Sequence, residues 1–214
     1  GDTVTVHNTD GTGIYSSTMV TVANLGSGNA RVTSSVPGTG TVSYTSASGC
    51  TTSTTVTVNP PPGAITGATS ICAGGSSTLS CSPGGGTWSS GATGFATVGS
   101  VSGIVSGIAA GTARISYTLP TGCKTDTAFY VNPLPAGITG WGSIITVGTS
   151  STYADATPGG TWSSSNPAIA TIGATTGTVH GVAPGSVTIS YIVGATGCAA
   201  TRVLTVQVLP GTGK

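Results

Sequence analysis

The stretch Gly160–Cys198, GTWSSSNPAIATIGATTGTVHGVAPGSVTISYIVGATGC, is one of three versions of the same passage in the 214 residues. A second, GTWSSGATGFATVGSVSGIVSGIAAGTARISYTLPTGC, begins at Gly86, and a third, GIYSSTMVTVANLGSGNARVTSSVPGTGTVSYTSASGC, begins at Gly13. Superposed, the aromatic residues Tyr15, Trp88 and Trp162 stand 73 and 74 residues apart, and Tyr44, Tyr117 and Tyr191 each follow 29 residues later. Gly-Cys pairs close the versions at Cys50, Cys123 and Cys198. Beyond each Cys lie one more strand-like segment and a proline-rich join: TTVTVNPPPG, AFYVNPLPAG and LTVQVLPG. Proline cannot donate to a sheet ladder, so the joins read as boundaries between units of a repeat. The expected units are residues 1–59, 60–133 and 134–214, the last running into the start of another boundary.

Alternation within a unit identifies strands. In the middle unit they are expected at SSTLSCS (Ser76–Ser82), GTWSS, GIVSGI, GTARISYTL and KTDTAFYVN. Val42 and Tyr44, Ile115 and Tyr117, and Ile189 and Tyr191 fall on one face of the penultimate strand, with Ser and Thr on the other, the pattern of a strand with one side in a core. Six or seven such strands per unit fit a two-sheet sandwich. Composition agrees: Val, Ile, Thr and 36 Gly dominate, which favours short strands joined by glycine turns. The expected fold is all-β, three tandem immunoglobulin-like β-sandwiches with Tyr15, Trp88 and Trp162 as core anchors.

Charge removes whole classes of function. Five Lys or Arg and four Asp, with no Glu, give a net charge of +1, and only 4% of residues are charged. Neither nucleic acid nor an anionic membrane surface is an expected partner, because both are bound by clustered cations. A mean hydropathy of +0.32 with so little charge is not a disordered composition. No run approaches the roughly 18 to 20 apolar residues of a membrane helix, so no membrane insertion is expected in this segment.

The passage GGTWSSSNPAIATIGATTGTVHGVAPGSVTISY resembles the bacterial immunoglobulin-like repeat of group 2, shared with invasin- and intimin-type adhesins. There a W-S-S-x-N-x-x-I-A-T-V strand precedes G-x-V-x-G-V-x-x-G-x-x-x-I. The form ending TGC…VTVNPLPA is similar to repeats of very large exported surface proteins of gliding-type bacteria. The resemblance covers all three units and is weakest in the first, which has GIYSS for GTWSS and ARVTSSV for G-x-V-x-G-V. It implies a non-enzymatic, extracellular stalk or adhesin on a bacterial cell surface, without cofactors. Its partners would be neighbouring repeats, further copies of itself, or surface glycans.

Aligned on the aromatic anchors, Gly1 falls on Gly74, so the first unit is expected to lack the counterpart of Pro60–Ala73, its N-terminal strand. At the other end, Pro210 falls on Pro62 and Pro135. LPGTGK, Leu209–Lys214, contains the letters of a sortase LPxTG signal, yet it occupies a repeat boundary and is read as one. An exposed edge beside a missing strand suggests an alternative to the stalk: a filament subunit assembled head-to-tail by β-strand complementation.

Five cysteines suit an oxidising, extracellular setting. In the related repeats a Cys in ICAG accompanies the Cys of the Gly-Cys turn, so the resemblance implies Cys72 with Cys123. Sandwich topology favours Cys81 with Cys123, since both lie toward one pole. Cys50 and Cys198 lack a partner in their own units and are candidates for inter-chain bonds. The suspected group also implies O-glycosylation at Asp-Ser/Thr-small-apolar sites, here Thr3 in Asp2-Thr3-Val4 and Thr127 in Asp126-Thr127-Ala128.

Nothing in the sequence assembles a catalytic site. His180 occupies a repeat position filled by Ser106 and Thr33, the four Asp are scattered, and no C-x-x-C accompanies the cysteines, so neither catalytic nor metal residues are expected. Trp141, in GITGWGS, has no counterpart in the middle unit; it reads as a junction-packing residue or a lone sugar-stacking platform, the basis of a third option, a carbohydrate-binding module.

Overall fold

The computed structural model describes residues 3–209, and among these it contains strands and no helix. The first six strands are β1 (Thr3–His7), β2 (Ile14–Ser17), β3 (Thr21–Gly26), β4 (Asn29–Thr33), β5 (Gly38–Thr45) and β6 (Thr51–Val58). They form two three-stranded sheets, ordered β1-β4-β3 and β2-β5-β6. Next come β7 (Ser70–Cys72), β8 (Ser76–Thr78), β9 (Thr87–Ser90), β10 (Ala96–Val98), β11 (Ile104–Gly107), β12 (Gly111–Thr118) and β13 (Lys124–Asn132), in sheets β10-β11-β8 and β7-β13-β12-β9. The rest are β14 (Thr139–Gly140), β15 (Ile144–Thr146), β16 (Ser150–Ala154), β17 (Gly160–Ser164), β18 (Ala170–Ile172), β19 (Thr178–Gly181), β20 (Gly185–Val193) and β21 (Ala199–Gln207), in sheets β14-β16-β19-β18 and β15-β21-β20-β17.

The described residues gather into two compact units. One takes in the chain up to Ala64 with Cys81–Thr87 and Tyr117–Thr125; the other takes in Ile65–Ser80, Trp88–Ser116 and the chain from Asp126 on. In the first unit, β2 pairs with β5 so that Tyr15 lies opposite Tyr44, their rings 4.9 Å apart and tilted by 59°. They pack with Ala30, Val32 and Val42 in a buried cluster. Tyr44 Oη accepts the Gly13 amide at 2.6 Å, and Tyr15 Oη donates to Gly28 O at 2.9 Å. Each ring thus buries its face while its hydroxyl pairs with backbone, the condition on which a tyrosine is cheap to bury.

The second unit repeats the scheme in β17 and β20, where Trp162 lies opposite Tyr191. Along β20 the buried residues Val187, Ile189 and Tyr191 alternate with less buried neighbours, the period of two that faces one side of a strand to a core. Tyr153, Val179, Leu204 and Val206 complete that core. Tyr191 Oη accepts the Gly160 amide at 3.0 Å and donates to Thr157 O. Gly160 is required here: a Cβ at that position would stand 2.4 Å from the Tyr191 ring.

Of the three-residue strands, β8 covers the first part of the expected Ser76–Ser82, and the other four are what alternation does not reveal. β7, β10, β15 and β18 are each one alternation long, too short for a period of two to show against Ser/Thr-rich surroundings.

Candidate functional site

β7 and β15 show how the outer edge of a last strand is covered. β7 runs parallel to β13, with Ser70, Ile71 and Cys72 opposite Tyr130, Val131 and Asn132. β15 runs parallel to β21, with Ile144, Ile145 and Thr146 opposite Thr205, Val206 and Gln207. In both places the edge amide of the longer strand is satisfied: Tyr130 N donates to Thr69 O and Thr205 N to Ser143 O, each at 2.8 Å. Counting from the Gly-Cys turns, Thr57, Val58 and Asn59 correspond to Tyr130, Val131 and Asn132. Yet β6 ends its sheet, bonded to β5 alone among the described strands. Phe129, Val131, Leu204 and Val206 are buried, whereas their counterparts Val56 and Val58 are only half-buried.

The uncovered place is a groove of about 370 Å³ in the first unit, lined by Val4, Val20, Val32, Val56 and Val58, with Cys123 at its margin. Cys123 Sγ lies 3.9 Å from Asn59 O. Val4, 51% exposed, is one of the valines this groove leaves in contact with water. An apolar trough beside an unpaired ladder is a template for strand addition.

The disulfide corrects the pairings expected from sequence. Cys72 bonds Cys198, with Cα atoms 5.6 Å apart across a separation of 126 residues, and Cys50, Cys81 and Cys123 are free. Cys72–Cys123 fails because Cys72 lies opposite Asn132, the far end of β13 from the turn that holds Cys123. Nine residues of strand span about 30 Å, against the 7 Å or less between Cα atoms that a disulfide allows. Cys81–Cys123 fails because the two thiols stand at opposite ends of the triproline join, Cys81 Sγ 3.3 Å from Gly63 O and Cys123 Sγ beside Asn59 O. Cys198 is therefore not available for an inter-chain bond, while Cys50 is free and exposed. The bond fits an oxidising setting.

The free thiols differ in surroundings. Burial pushes the Cys81 thiol up, against a smaller lowering by the Ser82 backbone, and the thiolate is the nucleophile. Under maleimide labelling of the unreduced chain at neutral pH, Cys50 is expected to react first and Cys81 last, with Cys72 and Cys198 unlabelled in peptide mapping. Labelling of Cys198 ahead of Cys81 would contradict the pairing.

Trp141 does not pack at a junction: it is 84% exposed, beside a cleft of about 710 Å³ edged by Ile144, Thr149, Ser150 and Thr152. Trp88 and Trp162 are 7% exposed. Iodide is expected to quench only the red-shifted part of the tryptophan emission, and Trp141→Phe to remove that part with no change in unfolding midpoint. A destabilised Trp141→Phe variant would show that the indole is packed after all.

Two cross-strand pairs escaped the sequence reading. Ser150 and His180 lie opposite one another on β16 and β19, with Ser150 Oγ 3.0 Å from His180 Nδ1. His7 and Asn29 make the same kind of pair on β1 and β4, also at 3.0 Å. Both are exposed, and among the described residues no carboxylate orients either imidazole, so the geometry is that of a decorated sheet face. Among the described residues no group of three His, Cys, Asp or Glu could hold a metal, and no helix is long and apolar enough to cross a membrane. Thr3 is exposed on β1 with Asp2 outside the described residues; Thr127 is half-buried on β13 beside Asp126, which pairs with Arg114 at 2.6 Å. Of LPGTGK, Leu209 is exposed and Pro210–Lys214 lie outside the described residues.

Residues 146–207 match the family model of the bacterial Ig-like domain (group 2). Among solved structures, the chain is similar to a C-terminal 282-residue fragment of intimin, crystallised with the intimin-binding domain of the translocated intimin receptor. The identity is 20%, over 62% of this chain and 58% of that one, with a TM-score of 0.42. It is similar also to invasin, described as a bacterial integrin-binding protein, at 16% identity over 95% of this chain and 55% of that one, TM-score 0.44. Domains 4 and 5 of the S-layer protein SbsC are 17% identical over 78% of this chain and 89% of that one, TM-score 0.27. The chain thus spans a little over half the length of the intimin fragment and of invasin. No curated protein matches it.

Proposed function

We propose that this chain, whose residues 146–207 match the family model of the bacterial Ig-like domain (group 2), is a non-enzymatic, extracellular array of such repeats with a structural or adhesive task at a bacterial surface. Residues 1–59, 60–133 and 134–214 are its successive repeats. The observation that carries this is the recurrence of one strand scheme, aromatic opposite tyrosine and tyrosine hydroxyl on a glycine amide, in β2–β5 and again in β17–β20. Conformational rigidity comes from the sandwiches and proline joins, and the scarcity of charge leaves little repulsion between neighbouring surfaces.

Antibodies against the chain are expected to decorate intact cells of the source bacterium and lose that signal after brief protease shaving. Labelling confined to permeabilised cells overturns the reading. A second reading, a filament subunit assembled by strand complementation, draws on the uncovered edge of β6. Intact mass of native material separates them: a polypeptide of 20.4 kDa in SDS-resistant polymers supports the filament, and a much longer polypeptide removes it. The carbohydrate option draws on Trp141 and predicts glycan-dependent quenching of its fluorescence.

A further inference from the structure

We propose that the groove beside β6 is the acceptor for an extended strand that carries an aliphatic residue followed by cysteine, and that Cys123 locks it there as a disulfide. The pattern for the occupant is within the chain. β7 and β15 both place an isoleucine, Ile71 or Ile145, against the valine of the last strand, Val131 or Val206, and both lie parallel to that strand. A Cβ built on Gly107 would meet both Ile71 Cδ1 and Val131 Cγ1 at 3.0 Å, so these two side chains share one layer; Gly181 reports the same for Ile145 and Val206. In the first unit that layer holds Val58 and the open groove. The incoming strand would accept from Thr57 N and donate to Asn59 O, as Thr69 O and Ala73 N do with Tyr130 N and Asn132 O.

The cysteine follows from the same register. Cys72 lies opposite Asn132, and the counterpart of Asn132 is Asn59, whose carbonyl has Cys123 Sγ 3.9 Å away. A strand seated on β6 as β7 sits on β13 therefore carries its cysteine to Cys123. The precedent is the bond between Cys72, on an opening strand, and Cys198, in a Gly-Cys turn. Ser34 stands where Gly107 and Gly181 do, and supplies the Cβ those glycines lack. At Gly107 such a Cβ would meet Cys72 O at 3.2 Å, so the occupant of the groove sits a few tenths of an ångström further out or carries valine in place of isoleucine.

The covalent step is a thiol–disulfide exchange. The Cys123 thiolate attacks the cysteine sulfur of a strand presented as its mixed disulfide with glutathione. The new S–S bond forms as the bond to glutathione breaks, and glutathione leaves as a thiolate that takes up the proton given up by Cys123. No net oxidation occurs.

The test uses the full chain with Cys50→Ser and Cys81→Ser, its native disulfide intact, and a synthetic peptide of the sequence Ala68–Gly75 as the glutathione mixed disulfide. One peptide per chain is expected to add at Cys123, about tenfold or more faster than the same peptide carrying Ile71→Asp, because docking holds the two sulfurs together. Both peptides bear the same disulfide, and the chain itself is unaltered between the two arms. A thiol-free Cys72→Ser peptide is expected to raise the unfolding temperature of the chain. Equal exchange rates for the two peptides overturn the proposal. So do disulfide-linked dimers of the untreated chain through Cys123, which would give the groove to a second copy. The inference rests on the repeat reading above but not on its test, since surface labelling and peptide trapping succeed or fail separately.

Discussion

Replacing Trp162 with alanine is expected to cost about 3–5 kcal/mol, the range for emptying a buried large aromatic site. The indole is 7% exposed, lies 4.8 Å from the Tyr191 ring at a tilt of 53°, and packs in a cluster with Val179, Ile189 and Leu204. Its edge also fits against Gly177, where a Cβ would stand 3.1 Å from Trp162 Nε1. Collapse cannot refill the space, because Tyr191 is tethered at its hydroxyl by Gly160 N and Thr157 O. A small domain has a total stability of about 5–15 kcal/mol, so the domain around residues 146–207 would retain little of it. Chemical unfolding followed by circular dichroism measures the loss. Ser163→Ala, one residue along β17 on the exposed side, serves as the control and should fall within about 0.5 kcal/mol of the parent. A loss below about 1 kcal/mol for Trp162→Ala would mean that the aromatic anchor is dispensable.

Removing the disulfide, by Cys72→Ser with Cys198→Ser, is expected to cost about 2–5 kcal/mol. The bridged segment of 126 residues is long, and closing a long loop removes the most freedom from the unfolded chain. Cys198 is 1% exposed, so Cys198→Ser alone should be the worse of the two single changes, leaving a hydroxyl without solvent. Urea unfolding midpoints with and without reductant check this, and Cys50→Ser, at an exposed free thiol, should not shift the midpoint. Parent and double variant unfolding at one midpoint in non-reducing urea would show that the bond constrains nothing.

Much of the fold was legible because the aromatic anchors, the penultimate strand and the Gly-Cys turn recur at a fixed spacing. The period of two in Val187, Ile189 and Tyr191 is the physical consequence of a strand with one face in a core, and it survives sequence drift between repeats. The cysteine pairing was not legible. Reasoning inside one repeat seeks partners there, whereas Cys72 and Cys198 are brought together by packing between segments far apart in the chain. Trp141 misled for a related reason: a large apolar side chain argues for burial only on average, and this one stands in solvent. The acceptor groove was half visible. Where a counterpart of β7 would pair could be counted from the repeat, but the half-burial of Val56 and Val58 and the position of Cys123 needed coordinates.

The Cys72–Cys198 bond also sets how the chain responds to tension. When a chain with such a bond is stretched, the pull passes from Cys72 to Cys198 through sulfur. The 126-residue span between them drops out of the extensible length, which at about 3.4 Å per residue withholds roughly 430 Å of slack. Unfolding inside that span cannot lengthen the tether. An oxidised chain yields only where it is not bridged, and a reducing environment would turn a stiff link into a compliant one.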